Sequence, residues 1–262
     1  MFSKSYITLL AAAVAAVATT GAMAQATVIY SQTFNSSTAP LTGTQPTTDT
    51  GGATWTAPFG ASYQQNGFIQ YQGISALPFT PSAGNTYTLS GNLALAPTSS
   101  TPTGYNAGLG FWNTWPSGDN APMATLAVNG TLTFWATGYP GGGVAAATFD
   151  TTNGGTKAAL TDLNVTMTLN TAPTNWTVSY SADNGLYSAN YTYATGSNPT
   201  DIPGVMLYQA SNNAPATGLP VTASAFELQQ GVPAVPEPGT GAAYLLGVVG
   251  LGLLAKKRKV LA

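Results

Sequence analysis

Cysteine and histidine are absent from this chain, and charged residues make up only 5% of its 262 residues. Without cysteine the chain cannot form a disulfide framework. Without histidine it lacks the usual metal ligand and the usual proton carrier near neutral pH. Serines are plentiful, but no imidazole or thiolate is present to activate or replace them as nucleophiles. Catalysis by a Ser-His or Cys-His pair is therefore excluded.

Basic residues are nearly absent from the middle of the chain. Five of the six lie at its ends, as Lys4 and residues 256–259, which leaves Lys157 alone between residues 25 and 235. Seven acidic residues share this body with one lysine, for a net charge of −6. Nucleic acid and anionic lipid headgroups are bound by clustered lysine and arginine, so we expect no nucleic-acid partner and no binding to anionic lipid.

The first 24 residues have the pattern of a secretory signal peptide. Lys4 precedes an apolar segment at residues 7–17, and Ala22-Met23-Ala24 is a small-residue cleavage pattern. Ala22 and Ala24 are the expected recognition positions, so the mature chain begins at Gln25. A helix of the protein core is the alternative interpretation of the apolar segment.

The last residues combine an apolar run with a basic end. Residues 239–255 hold no charge, and Lys256, Lys257, Arg258 and Lys259 follow directly. As a helix the run is roughly 26 Å long, enough to cross a bilayer once. The positive-inside rule keeps the tail at residues 256–262 in the cytoplasm, so everything before Val235 lies outside.

Pro236, Glu237 and Pro238 stand just before this predicted span, within a linker at residues 232–238. The two prolines keep the backbone extended and without amide donors, as a processing enzyme requires of its substrate. The motif, the span and the basic tail, about a tenth of the chain, together resemble the PEP-CTERM sorting signal of Gram-negative bacteria.

The resemblance to PEP-CTERM proteins implies a partner and a location. An exosortase, a membrane-embedded cysteine transpeptidase, is expected to cut near the motif and pass the protein outward. The chain is then an inner-membrane precursor first and a cell-surface or extracellular-matrix protein afterwards. A plain membrane anchor that is never cut is the alternative.

The body at residues 25–231 is poor in helix formers and rich in strand and turn formers. Residues 164–170 alternate between apolar and polar side chains, as a half-buried strand does, and residues 176–180 repeat the alternation. The turn Asp183-Asn184-Gly185 leads into residues 186–193, which completes a three-stranded meander. Further strands are predicted at residues 27–33, 67–72, 86–96, 108–113, 124–128, 131–137, 205–208 and 223–229.

About eleven strands and no helix predict an all-β antiparallel sandwich as a single domain. The segments at residues 30–34, 108–112, 175–193 and 223–228 resemble the concanavalin-A-like jelly roll, the lectin and glucanase sandwich. This resemblance implies that the first and last strands pair with each other. An immunoglobulin-like sandwich is the alternative.

The carboxylates of the body do not form the pattern of a glycosidase. Glucanases of this architecture carry two glutamates and an aspartate alternating on one strand, because cleavage needs a paired acid and base. Glu227 is the only glutamate in the body, and its neighbours two residues away are Ala225 and Gln229. We therefore predict a protein that is not an enzyme. Glycan hydrolysis, with Asp150 and Asp162 brought together in space, remains a minority alternative.

Calcium is the only cofactor that the sequence leaves open. Asp150, Asn153 and Asp183 lie in loop sequences whose oxygen atoms are of the type that calcium prefers. The same residues are equally typical of Asx turns, because Asp and Asn before Gly are common there.

Tryptophan provides the best binding hypothesis. Trp112, Trp115 and Trp55 are candidates for stacking on sugar rings, while strand alternation indicates that Trp135 and Trp176 belong to the core. The favoured function is a non-enzymatic surface protein that associates with exopolysaccharide. The alternative is a structural matrix protein that assembles with copies of itself through strand edges and Thr-rich faces without gatekeeping charge.

Overall fold

The computed structural model describes residues 26–34, 39–60, 63–65, 68–70, 73–95, 106–112, 122–137, 143–151, 160–210 and 221–231. In these ranges the chain forms seventeen strands and a single 3₁₀ turn at Asp183–Gly185. The strands are β1 Thr27–Thr33, β2 Ala39–Pro40, β3 Thr48–Asp49, β4 Thr56–Gly60, β5 Tyr63–Gln65, β6 Phe68–Gln70, β7 Gly73–Pro78, β8 Thr86–Leu95, β9 Asn106–Trp112, β10 Met123–Ala127, β11 Thr131–Thr137, β12 Val144–Asp150, β13 Leu160–Asn170, β14 Thr177–Ala182, β15 Tyr187–Thr192, β16 Gly204–Ala210 and β17 Val221–Gly231.

The strands form two antiparallel sheets. One has ten strands, in the order β15-β14-β13-β8-β17-β6-β5-β2, with β1 pairing to β17 and β3 to β1. The other has seven, in the order β12-β11-β10-β9-β16-β7-β4. The all-β prediction is confirmed, and so is the meander, as β13, β14 and β15 are consecutive neighbours.

The first and last strands pair, as the jelly-roll resemblance implies. The ladder runs from Thr27 opposite Gln230 to Thr33 opposite Ala225, with a bulge between Val28 and Tyr30. The expected number of strands was wrong, because the described part of the chain has seventeen strands and not eleven. Several of the additional strands are only two or three residues long, too short for an alternating pattern to be visible.

The core lies between the two sheets and follows from period-two alternation. In β13, Val165, Met167 and Leu169 are buried, while the residues between them are only partly buried. Phe134 of the seven-stranded sheet stacks on Tyr180 of the ten-stranded sheet, with ring centroids 4.9 Å apart. Buried aliphatic and aromatic side chains of both sheets therefore form one continuous cluster.

Tyr180 of β14 and Tyr193, the residue after β15, reach across the core to the backbone of β11. The Tyr180 hydroxyl donates to the Trp135 carbonyl at 2.6 Å, and the Tyr193 hydroxyl donates to the Ala136 carbonyl at 2.7 Å. Burial raises the pKa of both phenols well above the usual value, and the neighbouring Tyr191 adds to the rise. The hydroxyls are therefore neutral donors that tie the two sheets together.

The ten-stranded sheet presents a polar surface, rich in hydroxyl and amide side chains, on its outer side. Thr88 and Thr168 are cross-strand neighbours there, with their hydroxyl oxygens 3.4 Å apart. Thr166 and Ser181 form the next pair along the same face. Glu227 of β17, opposite Ser90 of β8, adds an acidic side chain to this face.

The two terminal segments fall outside the described ranges. This applies to the predicted signal peptide at residues 1–24, the linker at 232–238, the membrane span at 239–255 and the basic tail at 256–262. Within the ranges that are described, no helix is both long and apolar enough to cross a membrane.

Candidate functional site

A second apolar cluster lies on the outer face of the seven-stranded sheet, separate from the core. Its members come from β7, β10 and β16, and each is less than 9% exposed. We call it the outer cluster, and it consists of Ile74, Ala76, Met123, Met206 and Tyr208.

Strand alternation explains how an apolar cluster forms on this side. In β16, Val205 and Leu207 belong to the core, so Met206 and Tyr208 fall on the opposite face. Met206 is paired with Ala76 of the neighbouring strand β7. The sheet is thus apolar on both faces along its middle strands.

Glycine in β9 brings the two halves of the outer cluster together. Gly110 lies between Met123 of β10 and Met206 of β16 in the ladder. A Cβ on Gly110 would lie 2.6 Å from the Met123 Cβ atom, so no larger residue fits. Because Gly108 and Gly110 have no side chains, residues of the flanking strands cover β9 and join into one cluster.

Trp135 of β11 packs against the outer cluster and remains partly exposed. Its indole N–H donates to the Thr125 hydroxyl at 2.9 Å, which fixes the orientation of the ring. Its own carbonyl accepts the hydroxyl of Tyr180 from the other side of the sheet. Trp135 is therefore an oriented aromatic side chain with an apolar support, a buried hydroxyl beside it and one part open to solvent.

The prediction that Trp135 belongs to the core was wrong. Leu132, Phe134 and Ala136 are the buried residues of β11 that point to the core, and alternation places Trp135 on the other face with Thr133. The period of the strand already contained this information. The prediction assigned Trp135 to the wrong face of this alternation.

Trp55 also differs from its prediction as a glycan-binding residue. It is 1% exposed and lies edge-on against Phe226, with ring centroids 5.3 Å apart. Its indole N–H donates to the Gln32 side chain at 3.1 Å. Both its apolar surface and its polar atom are used inside the sandwich, so Trp55 is a core residue. Trp176, at 7% exposure, confirms its predicted place in the core.

The other two tryptophan candidates stay predictions. Trp112 is the last residue of β9, where its backbone pairs with Gly204. Trp115 lies outside the described ranges, in residues 113–121.

The calcium prediction is likewise untested. Asp150 and Asp183 are exposed, and Asn153 lies outside the described ranges. Asp183 and Asn184 adopt positive φ angles of 49° and 54°, which confirms the predicted turn between β14 and β15. Among the described residues, no three His, Cys, Asp or Glu side chains come close enough to hold a metal ion.

Among the described residues, few carboxylates lie in the sheet that carries the outer cluster. The seven strands of its sheet contain one acidic residue, Asp150, at the end of β12. Glu227 belongs to β17 of the other sheet, where it accepts a hydrogen bond from the Gln229 amide. A glycosidase needs two carboxyl groups about 5–9.5 Å apart, and these strands do not provide a pair.

No protein-family model matches this sequence, and no curated protein matches it either. Among solved structures, the endo-1,3-β-glucanase from Streptomyces sioyaensis superposes with a TM-score of 0.49 at 13% identity, covering 81% of this chain and 97% of that one. A CBM2 module from Lactobacillus casei BL23 phage J-1 gives 0.48 at 11% identity, covering 78% and 96%. The carbohydrate binding module CBM66 from Bacillus subtilis gives 0.38 at 10% identity, covering 68% and 94%. All three TM-scores are below 0.5, so these similarities carry no statement about function.

Proposed function

We propose that this chain is a non-catalytic surface protein whose β-sandwich binds a neutral secreted polysaccharide at Trp135 and the surface around it. The observation that carries the proposal is the partial exposure and fixed orientation of the Trp135 side chain. The ring is partly exposed on an outer sheet face, is supported by the outer cluster and is held by a hydrogen bond to Thr125. A core residue needs no such exposure, whereas a stacking platform for a sugar ring does.

The charge of the body favours a neutral ligand. With a net charge of −6, residues 25–235 repel anionic polymers, and one lysine provides no site for phosphate or sulfate groups. Sugar rings have apolar C–H faces and neutral hydroxyl groups, which match the indole face of Trp135 and the Thr125 hydroxyl beside it. The sparse carboxylates make binding, and not hydrolysis, the simpler activity for this face.

We assign the sandwich to the concanavalin-A-like jelly-roll type. The antiparallel pairing of β1 with β17 supports this assignment, as does the arrangement of the central strands in two large sheets. The immunoglobulin-like alternative has fewer strands per sheet than the ten and seven seen here.

The terminal segments supply the location in this proposal. The signal peptide exports the chain, and exosortase processing at Pro236-Glu237-Pro238 releases it from the inner membrane to the cell surface or matrix. An exported protein meets the polysaccharide that its own cell secretes. In this proposal the exported protein acts by binding the polysaccharide and catalyses no reaction.

Trp135→Ala is expected to reduce binding to the exopolysaccharide of the producing cell by about tenfold or more. The change removes the stacking face, which is worth on the order of 1.5 kcal/mol for an aromatic contact. Retention of the full-length chain on immobilised polysaccharide, in mild detergent, measures the effect.

Trp135→Phe and Asn164→Ala serve as controls for this experiment. Phenylalanine keeps an aromatic face but loses the N–H. The Trp135→Phe variant should therefore bind the polysaccharide more weakly than the wild type and more strongly than Trp135→Ala. Asn164 is exposed on the ten-stranded sheet, away from Trp135, and its replacement should leave binding unchanged. Wild-type retention of Trp135→Ala, with unchanged circular dichroism, would contradict the proposed site.

Glu237→Ala is expected to stop processing, so that the full-length precursor accumulates in the inner membrane. The substitution removes the negative charge at the centre of the motif and keeps both flanking prolines, so it tests whether processing requires that charge. Immunoblotting of membrane and extracellular fractions measures the distribution. Thr240→Ala, just inside the predicted span, is the matched control. Normal export of Glu237→Ala would favour an uncut anchor or another export route.

A further inference from the structure

Trp135 lies at an interruption of the ladder between β11 and β12. The register shifts on both sides of it, so that Ala146 of β12 falls in one shift and Ala136 of β11 in the other. Trp135 and Ala145 thus form a single pair between two irregularities. Bulges bend a strand and re-aim its side chains, and they are common beside binding sites.

The core side of the sheet fixes this irregular stretch of β11. The Tyr180 hydroxyl donates to the Trp135 carbonyl at 2.6 Å, and the Tyr193 hydroxyl donates to the Ala136 carbonyl at 2.7 Å. Both carbonyls belong to the interrupted part of the strand. The backbone that carries the indole is therefore held from inside the sandwich while the side chain points outward.

The indole ring of Trp135 has one occupied side and one open side. Its N–H donates to the Thr125 hydroxyl of β10, and its ladder partner on that strand is Met123 of the outer cluster. On the other side its ladder partner is Ala145 of β12, an exposed residue with only a methyl group as its side chain. Among the described residues, the open space beside the ring therefore lies towards β12.

A hydroxyl group lies on the same face at the next outward-facing position of β12. Thr148 is exposed and pairs with Thr133 of β11, which in turn pairs with Thr125. Because the Thr125 hydroxyl accepts the indole N–H, this row of three threonines lies on the face that carries Trp135. Two residues along β11, about 7 Å, separate this row from the tryptophan. A ligand on the indole can thus reach the Thr148 hydroxyl along the sheet surface.

We infer that the sugar ring stacked on Trp135 lies over Ala145 and that the Thr148 hydroxyl hydrogen-bonds to the same glycan, so that Ala145 and Thr148 determine the specificity of the site. This subsite rests on the proposed function and specifies its ligand as a glycan chain that runs along β12 and has an unmodified hydroxyl next to its stacked ring. The Ala145 methyl leaves room for the ring. A threonine hydroxyl both donates and accepts, so it can pair with a sugar hydroxyl in either sense.

Ala145→Leu is expected to weaken binding to the purified exopolysaccharide of the producing cell by about tenfold or more, because the larger side chain fills the space beside the indole. Ala145 is exposed, so the change should leave the thermal unfolding midpoint unaltered. Retention of the full-length chain on immobilised polysaccharide, in mild detergent, measures binding. Ser179→Leu places the same side chain at an exposed position of the ten-stranded sheet and should bind like the wild type.

Thr148→Val is expected to weaken the same binding by about fivefold, through the loss of one hydrogen bond. Valine has nearly the shape of threonine, so the packing of the strand is kept. Thr148→Ser retains the hydroxyl and should restore most of the binding. Thr192→Val, at an exposed position of β15 in the other sheet, removes a hydroxyl away from Trp135 and should have no effect.

The variants separate failure of the subsite from failure of the proposed function. Wild-type binding by both Ala145→Leu and Thr148→Val, together with lost binding by Trp135→Ala, would overturn the subsite and leave the Trp135 platform in place. Wild-type binding by Trp135→Ala would instead contradict the proposed function. Equal weakening by Ala145→Leu and Ser179→Leu would show that added apolar bulk acts anywhere on the protein, which also overturns the subsite.

Discussion

Gly108→Ala is expected to destabilise the sandwich by about 3 kcal/mol, a large part of the stability of a typical domain. A Cβ on Gly108 would overlap the Ala124 carbonyl oxygen and lie 3.2 Å from the Thr125 Cα atom, both on the neighbouring strand β10. These are backbone atoms, so no side-chain rotation relieves the overlap. Strands β9 and β10 would have to separate in the middle of the sheet. Urea unfolding followed by tryptophan fluorescence measures the loss.

Gly231→Ala is the matched control for this prediction. Gly231 ends β17, and a Cβ there would have its nearest contact at 3.6 Å, an ordinary van der Waals distance. Its replacement should leave stability unchanged or raise it by a few tenths of a kcal/mol through the unfolded state. Equal stability of the Gly108 and Gly231 variants would show that β9 and β10 are not packed as closely as described.

Alkaline pH is expected to unfold the protein steeply above about pH 10. Burial raises the pKa of Tyr180 and Tyr193 well above 10, the value that holds in the unfolded chain. The stabilisation from their neutral hydroxyls is therefore complete below pH 10. Above it, the unfolded chain releases protons that the folded chain keeps, and stability falls by about 1.4 kcal/mol per pH unit for each group. Unfolding free energies at a series of pH values measure the slope.

Tyr193→Phe isolates the contribution of one phenol to this slope. The variant should lose about 1–3 kcal/mol at neutral pH, because the Ala136 carbonyl loses its donor. Above pH 10 its stability should then fall about half as steeply as that of the wild type. A stability that stays constant up to pH 12 would mean that neither hydroxyl is buried in the folded state.

The alternating segments were predictable because their period is a local property of the chain. The bounds predicted for β1 and β11, residues 27–33 and 131–137, are those of the structure. The turn at residues 183–185 was equally visible, because Asp-Asn-Gly favours positive φ. The strands missing from the prediction, such as β7 and β12, have continuous small or apolar residues, so they lack the alternation of a half-buried strand.

The candidate site was less predictable, because side-chain exposure depends on what packs above a residue. Trp55 follows a Gly-Gly-Ala-Thr segment that reads as an open loop, yet Phe226, far along the chain, covers it. The prediction assigned Trp135 to the core face of its strand, and the burial of its neighbours Phe134 and Ala136 shows that it lies on the opposite face. The outer cluster joins residues from β7, β10 and β16, and nothing in the local sequence of any one of these strands indicates the other two.

The sequence by itself determined the composition-based exclusions and the all-β class, because charge and period are read along the chain, and its terminal motifs predict the export signals. Only the tertiary structure decided which of the described tryptophans, Trp55, Trp135 and Trp176, is partly exposed, that Tyr180 and Tyr193 tie the sheets together, and that β12 and β15 lie at the ends of their sheets. These features depend on the pairing of strands distant in sequence. Strand order and contact across the core are set by the packing of the whole chain, and local residue pattern does not encode them.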